Sequence, residues 1–457
     1  MNRLNSHRFF FGCAVAATIA APWWLGCSDK GGGTSNTPEA GPLPPGPDAG
    51  PLPPADSSPP PDSATCGKLP PTGLGQIIAP RADGSELGQG AALTLDKKGR
   101  PIFAYLDHPP SQTSTLYVVR WNDCTGAWYP PAKVDSAIPG DVIAIATDAT
   151  DGRIGIAYTK VVHLVSLPNV NDTIAQFVAL SSDDGATFTS ARVSKHKAET
   201  NAAEGDINNV NRPAIALDGG KTFLAYNQTD QGCGNSCHDA TVLATSGASG
   251  YTYAIVPDTS DTEHGGTLNT RGFPVGLAID SAGKPGVVAH LEPATGYNSA
   301  AVYWRPGQAN YTLILDTNSV QNDLGAATLA YDGTKPRVVT RIQRGAIGAV
   351  TDYTLVFSAS DDGTTWAAPV PLPQTAHIPA SEKILARNGG VAVLAGGPTV
   401  IRSTNLTTFT QSDLSIAQGS VSVTGVFGSD GKLWVGFEGT SPVVPDALGG
   451  VVLYREP

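Results

Sequence analysis

Two polar stretches of this 457-residue chain concentrate side chains that could act on a ligand. KHKAETNAAEGDINNVNR at 195–212 carries Glu199, Glu204, Asp206 and Arg212, and DTSDTEHGGTLNTR at 258–271 carries Asp261, Glu263, His264 and Arg271. Paired carboxylates can act as acid and base in glycoside hydrolysis when the two carboxyls lie about 5–9 Å apart. A guanidinium fork can take a carboxylate through two parallel hydrogen bonds. Oxygen donors of this kind also suit calcium, but no DxDxDG-type run accompanies them. No cofactor is therefore expected, and calcium has only the acidity of these loops in its favour. The plain reading of both stretches is a solvated face. Recognition of a glycan or an envelope protein comes next.

The cysteines point to bridges rather than to metal. Cys233 and Cys237 lie close enough in CGNSC to close a small loop, which leaves Cys66 to pair with Cys124. His238 adjoins the first pair, but no second ligand pair accompanies it, so a metal site is not expected.

The elements that must position such loops repeat along the chain. An apolar run reaches a turn residue, crosses a short Gly-containing turn and becomes a second apolar run seven times, at 92–106, 143–158, 214–226, 276–291, 328–342, 384–396 and 423–437. Second strand pairs are expected between them at 115–134, 174–193, 241–256, 300–315, 353–370 and 399–414, with VVLYREP at 451–457 as a lone last strand. Paired strands recurring at this spacing predict an all-β chain, a single β-propeller of seven four-stranded blades, with six as the alternative. The lone last strand needs a partner, and GQIIAP at 75–80 can close the ring. Most aromatic residues fall in strands, and Tyr226, Tyr297 and Trp304 are expected to pack rather than to bind.

The start of the chain suggests export. Arg3 and Arg8 precede an apolar or small stretch over 9–26, which has the pattern of a secretory signal. It ends in Trp24-Leu25-Gly26-Cys27, which resembles the lipobox of bacterial lipoproteins, although Leu25 stands two residues before the cysteine where that family prefers three. The resemblance implies lipidation of Cys27 and membrane attachment through the lipid, and Ser28 after it is compatible with the outer membrane. Residues 28–65 are rich in Pro, Gly and Ser and poor in large apolar side chains, so they are expected to be a disordered, semi-rigid tether. The divisions are thus signal 1–26, lipidated cysteine and tether 27–65, and propeller 66–457. A net charge of −11 argues against a nucleic-acid partner; a monomer is the expected state.

One turn motif narrows the fold. SSDDGATF at 181–188 matches S-x-D-x-G-x-T-[WF] through Ser181, Asp183, Gly185, Thr187 and Phe188. ASDDGTTW at 359–366 matches through Asp361, Gly363, Thr365 and Trp366, with Ala359 in the place of Ser, and STNLTTF at 403–409 reads as an eroded copy. This is the Asp-box, or BNR repeat, so the domain resembles the sialidase-like propellers. The resemblance implies that these turns are structural and lie on the face away from any active site. It also implies what a sialidase would need: three arginines for the substrate carboxylate, for which Arg212, Arg271 and Arg344 are the candidates, with Tyr297, Glu292 and Asp206 as nucleophile, its partner and acid/base. The Arg-Ile-Pro motif of that family is absent near the domain start, where Pro80-Arg81-Ala82 stands. The sequence therefore favours a tethered recognition propeller without chemistry, with an exo-glycosidase of sialidase type as the alternative.

Overall fold

The computed structural model describes residues 66–78, 86–108, 113–138, 142–162, 173–194, 213–229, 239–257, 260–261, 266–270, 276–293, 300–316, 322–346, 349–373, 382–396, 399–414, 423–439 and 450–457. The chain divides into two compact units, Met1–Ala64 and Thr65–Pro457, and every described residue belongs to the second. That unit is all-β, with seven four-stranded antiparallel blades in a ring.

From the axis outward, blade 1 is Glu86–Leu95, Pro101–His108, Ser114–Asn122 and Ala132–Ile138, with a short Ala127–Trp128 strand beside the third. Blade 2 is Ala144–Thr147, Ile154–Val162, Thr173–Ser181 and Thr189–Arg192; blade 3 is Ala214–Asp218, Lys221–Thr229, Asp239–Gly247 and Gly250–Ile255. Blade 4 is Gly276–Ile279, Pro285–Pro293, Ala300–Trp304 and Thr312–Asp316. Blade 5 is Asn322–Asp332, Lys335–Ala346, Ala349–Ala359 and Val370–Pro371; blade 6 is Glu382–Arg387, Gly390–Ala395, Thr399–Ser403 and Thr410–Asp413. Blade 7 is Val423–Phe427, Leu433–Gly439 and Gly450–Arg455, and its outermost strand is Gly73–Ile78 from the other end of the domain.

The sixth repeat is thus a full blade, which removes the six-blade alternative. The stretch 258–271 is not only loop. Ser260–Asp261 pairs with Gly266–Thr270, and the latter runs against the end of the second strand of blade 4, Leu268 opposite Pro293 and Thr270 opposite Leu291.

Each blade buries both faces, which is why its strands read as near-continuous apolar runs. On the second strand of blade 1, Ile102, Ala104 and Leu106 pack against blade 2, while Phe103 and Tyr105 pack against blade 7. Seven such apolar clusters fill the seven junctions. Gly436 shows how tight they are: a Cβ there would sit 2.2 Å from the Phe103 ring.

The inner and outer hairpin turns share one end of the blades, here the turn face, and its polar groups are spent on the scaffold. Asp96 accepts the amides of Lys98 and Arg100 at 2.9 and 2.8 Å, and Asp280 those of Ala282 and Lys284 at 2.9 Å each. Blade-to-blade bonds add to this. Arg100 of blade 1 reaches Asp96, Asp123 and Asp184 of blade 2 at 2.6, 3.3 and 2.7 Å. Gly220 donates to Asp148, Gly389 to Asp332, and Arg387 to the carbonyls of Gly428 and Ser429.

The Ser/Asp turns follow the same logic. Ser181 takes the amide of Gly185, and Asp183 takes the amide and hydroxyl of Thr187 at 2.9 and 2.6 Å. In blade 5 the amides of Thr364 and Thr365 go to Asp362, and that of Gly363 to Ser360. The motif pattern points to Ala359 and Asp361, one residue before the two that bond this turn. The correction is physical: this turn is one residue shorter, and Asp361 stays exposed, pairing with Lys335 at 3.2 Å and Arg337 at 3.5 Å. Blade 6 repeats the short form with Ser403 and Asn405, and Leu406 takes the left-handed conformation (φ 64°) that Gly363 takes in blade 5 (φ 76°). Phe188, Trp366 and Phe409 close the turns by packing into the junction with the preceding blade.

Cys66 and Cys124 form a disulfide that attaches the segment before the closing strand to blade 1. The Trp121 indole donates to the Lys68 carbonyl beside it.

Candidate functional site

With the turn face bonded up, the opposite strand ends are where a ligand site must be sought. The strand registers place one polar side chain per blade there. Four residues before the inner turn, Ala92, Ala144, Ala214, Gly276, Thr328, Lys383 and Thr424 stand opposite Ala104, Ala157, Ala225, Val288, Val339, Leu394 and Gly436. Two residues further along each second strand come Leu106, Thr159, Asn227, His290, Arg341, Gly396 and Glu438. Five of these seven are polar or charged, in blades 2, 3, 4, 5 and 7. Thr159, Asn227, His290 and Glu438 are buried. A polar group in that position costs free energy unless it is hydrogen-bonded, so five in equivalent places mark a level of the ring that is not used for apolar packing.

These side chains point toward the next blade, as alternation along the strand requires. Arg341 of blade 5 meets Glu382 of blade 6 at 3.8 Å, and the Glu382 side chain is 0% exposed. Asn227 accepts a hydrogen bond from the Thr241 hydroxyl at 2.8 Å. Burial pushes the His290 imidazole down to about 3, so it is neutral at ordinary pH. At this level the ring offers a guanidinium–carboxylate pair, a neutral imidazole, an amide and a second carboxylate.

The innermost strands enclose an axial channel of about 730 Å³. Each is the edge of its sheet, so its unpaired backbone groups face the axis. Glu382, Lys383 and Glu438 line it. Lys383 is exposed to this channel, and its depth within the ring pushes its ammonium below the usual lysine value.

Of the residues singled out from sequence, Asp206, Arg212, Arg271 and Tyr297 lie outside the described residues, as do Glu199, Glu204, Glu263, His264, His238 and the pair Cys233 and Cys237. Glu292 lies on the second strand of blade 4, opposite Asn269, and Arg344 on the second strand of blade 5, opposite Asn322 and Asp352. Both stand past the polar level on their strands, and their backbones alone are described. Tyr226 and Trp304 are buried in the junctions and pack, as expected. Among the described residues no group of His, Cys, Asp and Glu is arranged to hold a metal.

The polar level itself escapes a motif search. Its sequence signal is a polar residue closing the second apolar run, as in IAYT (156–159), LAYN (224–227), VVAH (287–290), VVTR (338–341) and VGFE (435–438).

No protein-family model matches the sequence, and no curated protein matches it. Solved structures are similar in fold. A polysaccharide lyase described as a PL25 ulvan lyase is 12% identical, with 84% of this chain and 95% of that chain covered and a TM-score of 0.54. A structure of such a lyase bound to a GlcA(1-4)Rha3S unit is 12% identical, with 85% and 95% covered and a TM-score of 0.51. An α-L-arabinanase of Penicillium chrysogenum complexed with arabinobiose is 12% identical, with 84% and 98% covered and a TM-score of 0.49. At such identities the likeness is one of fold.

Proposed function

We propose that this chain is an exported recognition protein whose propeller binds a saccharide at the strand ends opposite the Ser/Asp turns, with an envelope protein as the other class of ligand. In this reading Cys27 carries the lipid and 28–65 tethers the propeller to the outer membrane. The observation that carries it is the polar position shared by blades 2, 3, 4, 5 and 7, set at the end of the ring whose groups are not spent on turn bonding. Loops raised on a rigid scaffold at that end are where binding usually resides. A saccharide suits donors and acceptors of this kind, and the ulvan lyase of like fold is by its title a polysaccharide enzyme.

The second reading is an exo-glycosidase of sialidase type that uses Arg212, Arg271 and Arg344. Three guanidiniums converging on one carboxylate would carry it. The missing Arg-Ile-Pro motif speaks against it.

Three assays separate these readings. The labelled full chain in detergent micelles is applied to immobilised envelope saccharides and envelope proteins; saccharide binding that falls at least tenfold in Arg271→Ala is expected, and no binding to either class refutes recognition. A fluorogenic sialoside should stay intact; its release, lost in Arg271→Ala, would establish the enzyme instead. Cys27→Ala should release the chain from the membrane fraction, and unchanged fractionation refutes the anchor.

A further inference from the structure

Lys383 stands where the scaffold otherwise places a small residue. Its six counterparts on the other innermost strands are Ala92, Ala144, Ala214, Gly276, Thr328 and Thr424. Two of these have an evident structural task. The Thr328 hydroxyl accepts the Ile384 amide of blade 6, and the Thr424 hydroxyl accepts the Leu93 amide of blade 1. Both bonds stitch an innermost strand to the next. A lysine has no acceptor to offer and cannot do this. The residue that Lys383 would have to meet is in turn Gly425, at the place of Leu93 and Ile384 on blade 7.

Packing does not account for it either. The side chain is exposed to the channel rather than buried in the junction, and among the described residues it has no hydrogen bond and no ion pair. The neighbouring carboxylate, Glu382, is paired with Arg341 across the junction at 3.8 Å and makes no ion pair with Lys383. Moving an ammonium from bulk water to an enclosed channel is costly without a counter-charge. Of the two cationic residues among those lining the channel, Arg387 is bonded to the carbonyls of Gly428 and Ser429, and Lys383 faces open space of about 730 Å³, a volume within the range of small-ligand sites. The rest of its wall mixes Ala, Gly and Thr with Ile, Leu and Val side chains, the carboxylates of Glu382 and Glu438, and strand-edge backbone groups, and the last of these can bond hydroxyls.

We propose that the axial channel is a binding site for a sugar acid, whose carboxylate pairs with the Lys383 ammonium while its hydroxyls bond the free edges of the innermost strands. The inference deepens the recognition reading by naming the ligand class, and it rests on that reading for the ligand being a saccharide. Lys383 lies near the start of its strand, at the same end of the ring as the polar level, so a ligand entering from that face meets it first.

The test is calorimetric titration of the full chain in micelles with glucuronate, its methyl ester and glucose. Glucuronate should bind at least tenfold more tightly than the ester or glucose. Lys383→Met, which keeps the stem and removes the charge, should abolish that preference, and Lys383→Arg should retain it. Thermal melting of both variants controls for folding; loss of a lone enclosed charge should leave Lys383→Met at least as stable. Equal affinity for acid and ester, or an unchanged preference in Lys383→Met, overturns the inference. If neutral and acidic sugars then bind alike, the recognition reading survives without it; if none of the three sugars binds, this inference falls, and the recognition reading is decided by the immobilised saccharide and protein assay above. An oligosaccharide with one terminal uronate separates the two sources of the group: tighter binding than glucuronate assigns the site to a chain end, and equal binding to a free sugar acid.

Discussion

Arg341, on the second strand of blade 5, and Glu382, on the innermost strand of blade 6, form an ion pair across a blade junction, with 12% and 0% of their side chains exposed. Removing one member of a buried pair strands the other charge, which costs about 3–5 kcal/mol. Glu382→Leu should lower stability by about 3 kcal/mol in denaturant titration. The double variant Arg341→Met with Glu382→Leu should recover most of that loss, since neither charge remains to be solvated. A double variant as weak as the single one would show that the pair supplies more than mutual neutralisation.

His290 makes the fold acid-sensitive. Its buried imidazole sits at about 3 in the folded chain, against about 6.5 in an unfolded one. Between those values the unfolded chain binds the extra proton, so stability rises with pH and falls as the solution is acidified. Its share of the slope approaches about 1.4 kcal/mol per pH unit in the middle of that window. His290→Leu should flatten the pH dependence of the denaturation midpoint between about pH 6 and 4 relative to the parent; parallel curves would contradict this.

The turn at 403–409 holds a correctable departure. Asn405 takes the amides of Thr407 and Thr408 at 3.1 and 2.9 Å, the task that Asp362 performs for Thr364 and Thr365. Those bonds hold the Asp362 carboxyl well below the usual range, and similar ones bring Asp183 down to about 2. Asn405→Asp should therefore raise the melting temperature near neutral pH, because a charged acceptor strengthens the bonds. A depressed carboxylate contributes above its unfolded value and loses that contribution as pH falls through the folded one. The gain should therefore shrink below about pH 4 and vanish near pH 2. Melting curves at pH 7 and 3 check both sign and window.

The Cys66–Cys124 bridge encloses a separation of 58 residues. Chain entropy puts its contribution at about 4 kcal/mol. Cys66→Ser with Cys124→Ser should lower the midpoint of denaturation accordingly. The same midpoint in oxidised parent and double variant would rule out a stabilising role.

The ring was readable because its signal is repeated: an apolar run, a turn and an apolar run, with burial on both faces erasing the usual alternation. The closing strand followed from counting, since a last blade with one outer strand needs a partner. The turn at 359–366 was read one residue out of step because two adjacent aspartates and a shorter turn satisfy the same pattern, and only hydrogen bonds choose between Asp361 and Asp362. Lys383 was invisible for another reason. Within SEKILARN it is an ordinary surface-like lysine; only the register with six small counterparts makes it an exception. The level formed by Thr159, Asn227, His290, Arg341 and Glu438 is likewise a relation among blades, not a local motif.

The bridge has a mechanical meaning. The ring is shut by strand Gly73–Ile78 lying along Gly450–Arg455, a zipper that could be peeled from its first residue. Any pull arriving along the chain from residue 65 reaches Cys66 first, and the disulfide passes it into the third-strand hairpin of blade 1 at Cys124. The load therefore bypasses the zipper and is carried in shear by a blade already locked between two neighbours. Under reduction the same pull would pass through the bonds at Gly67, Lys68 and Pro70 and then peel Gly73–Ile78 from Gly450–Arg455 within blade 7, so the redox state of one bond sets where the ring would tear.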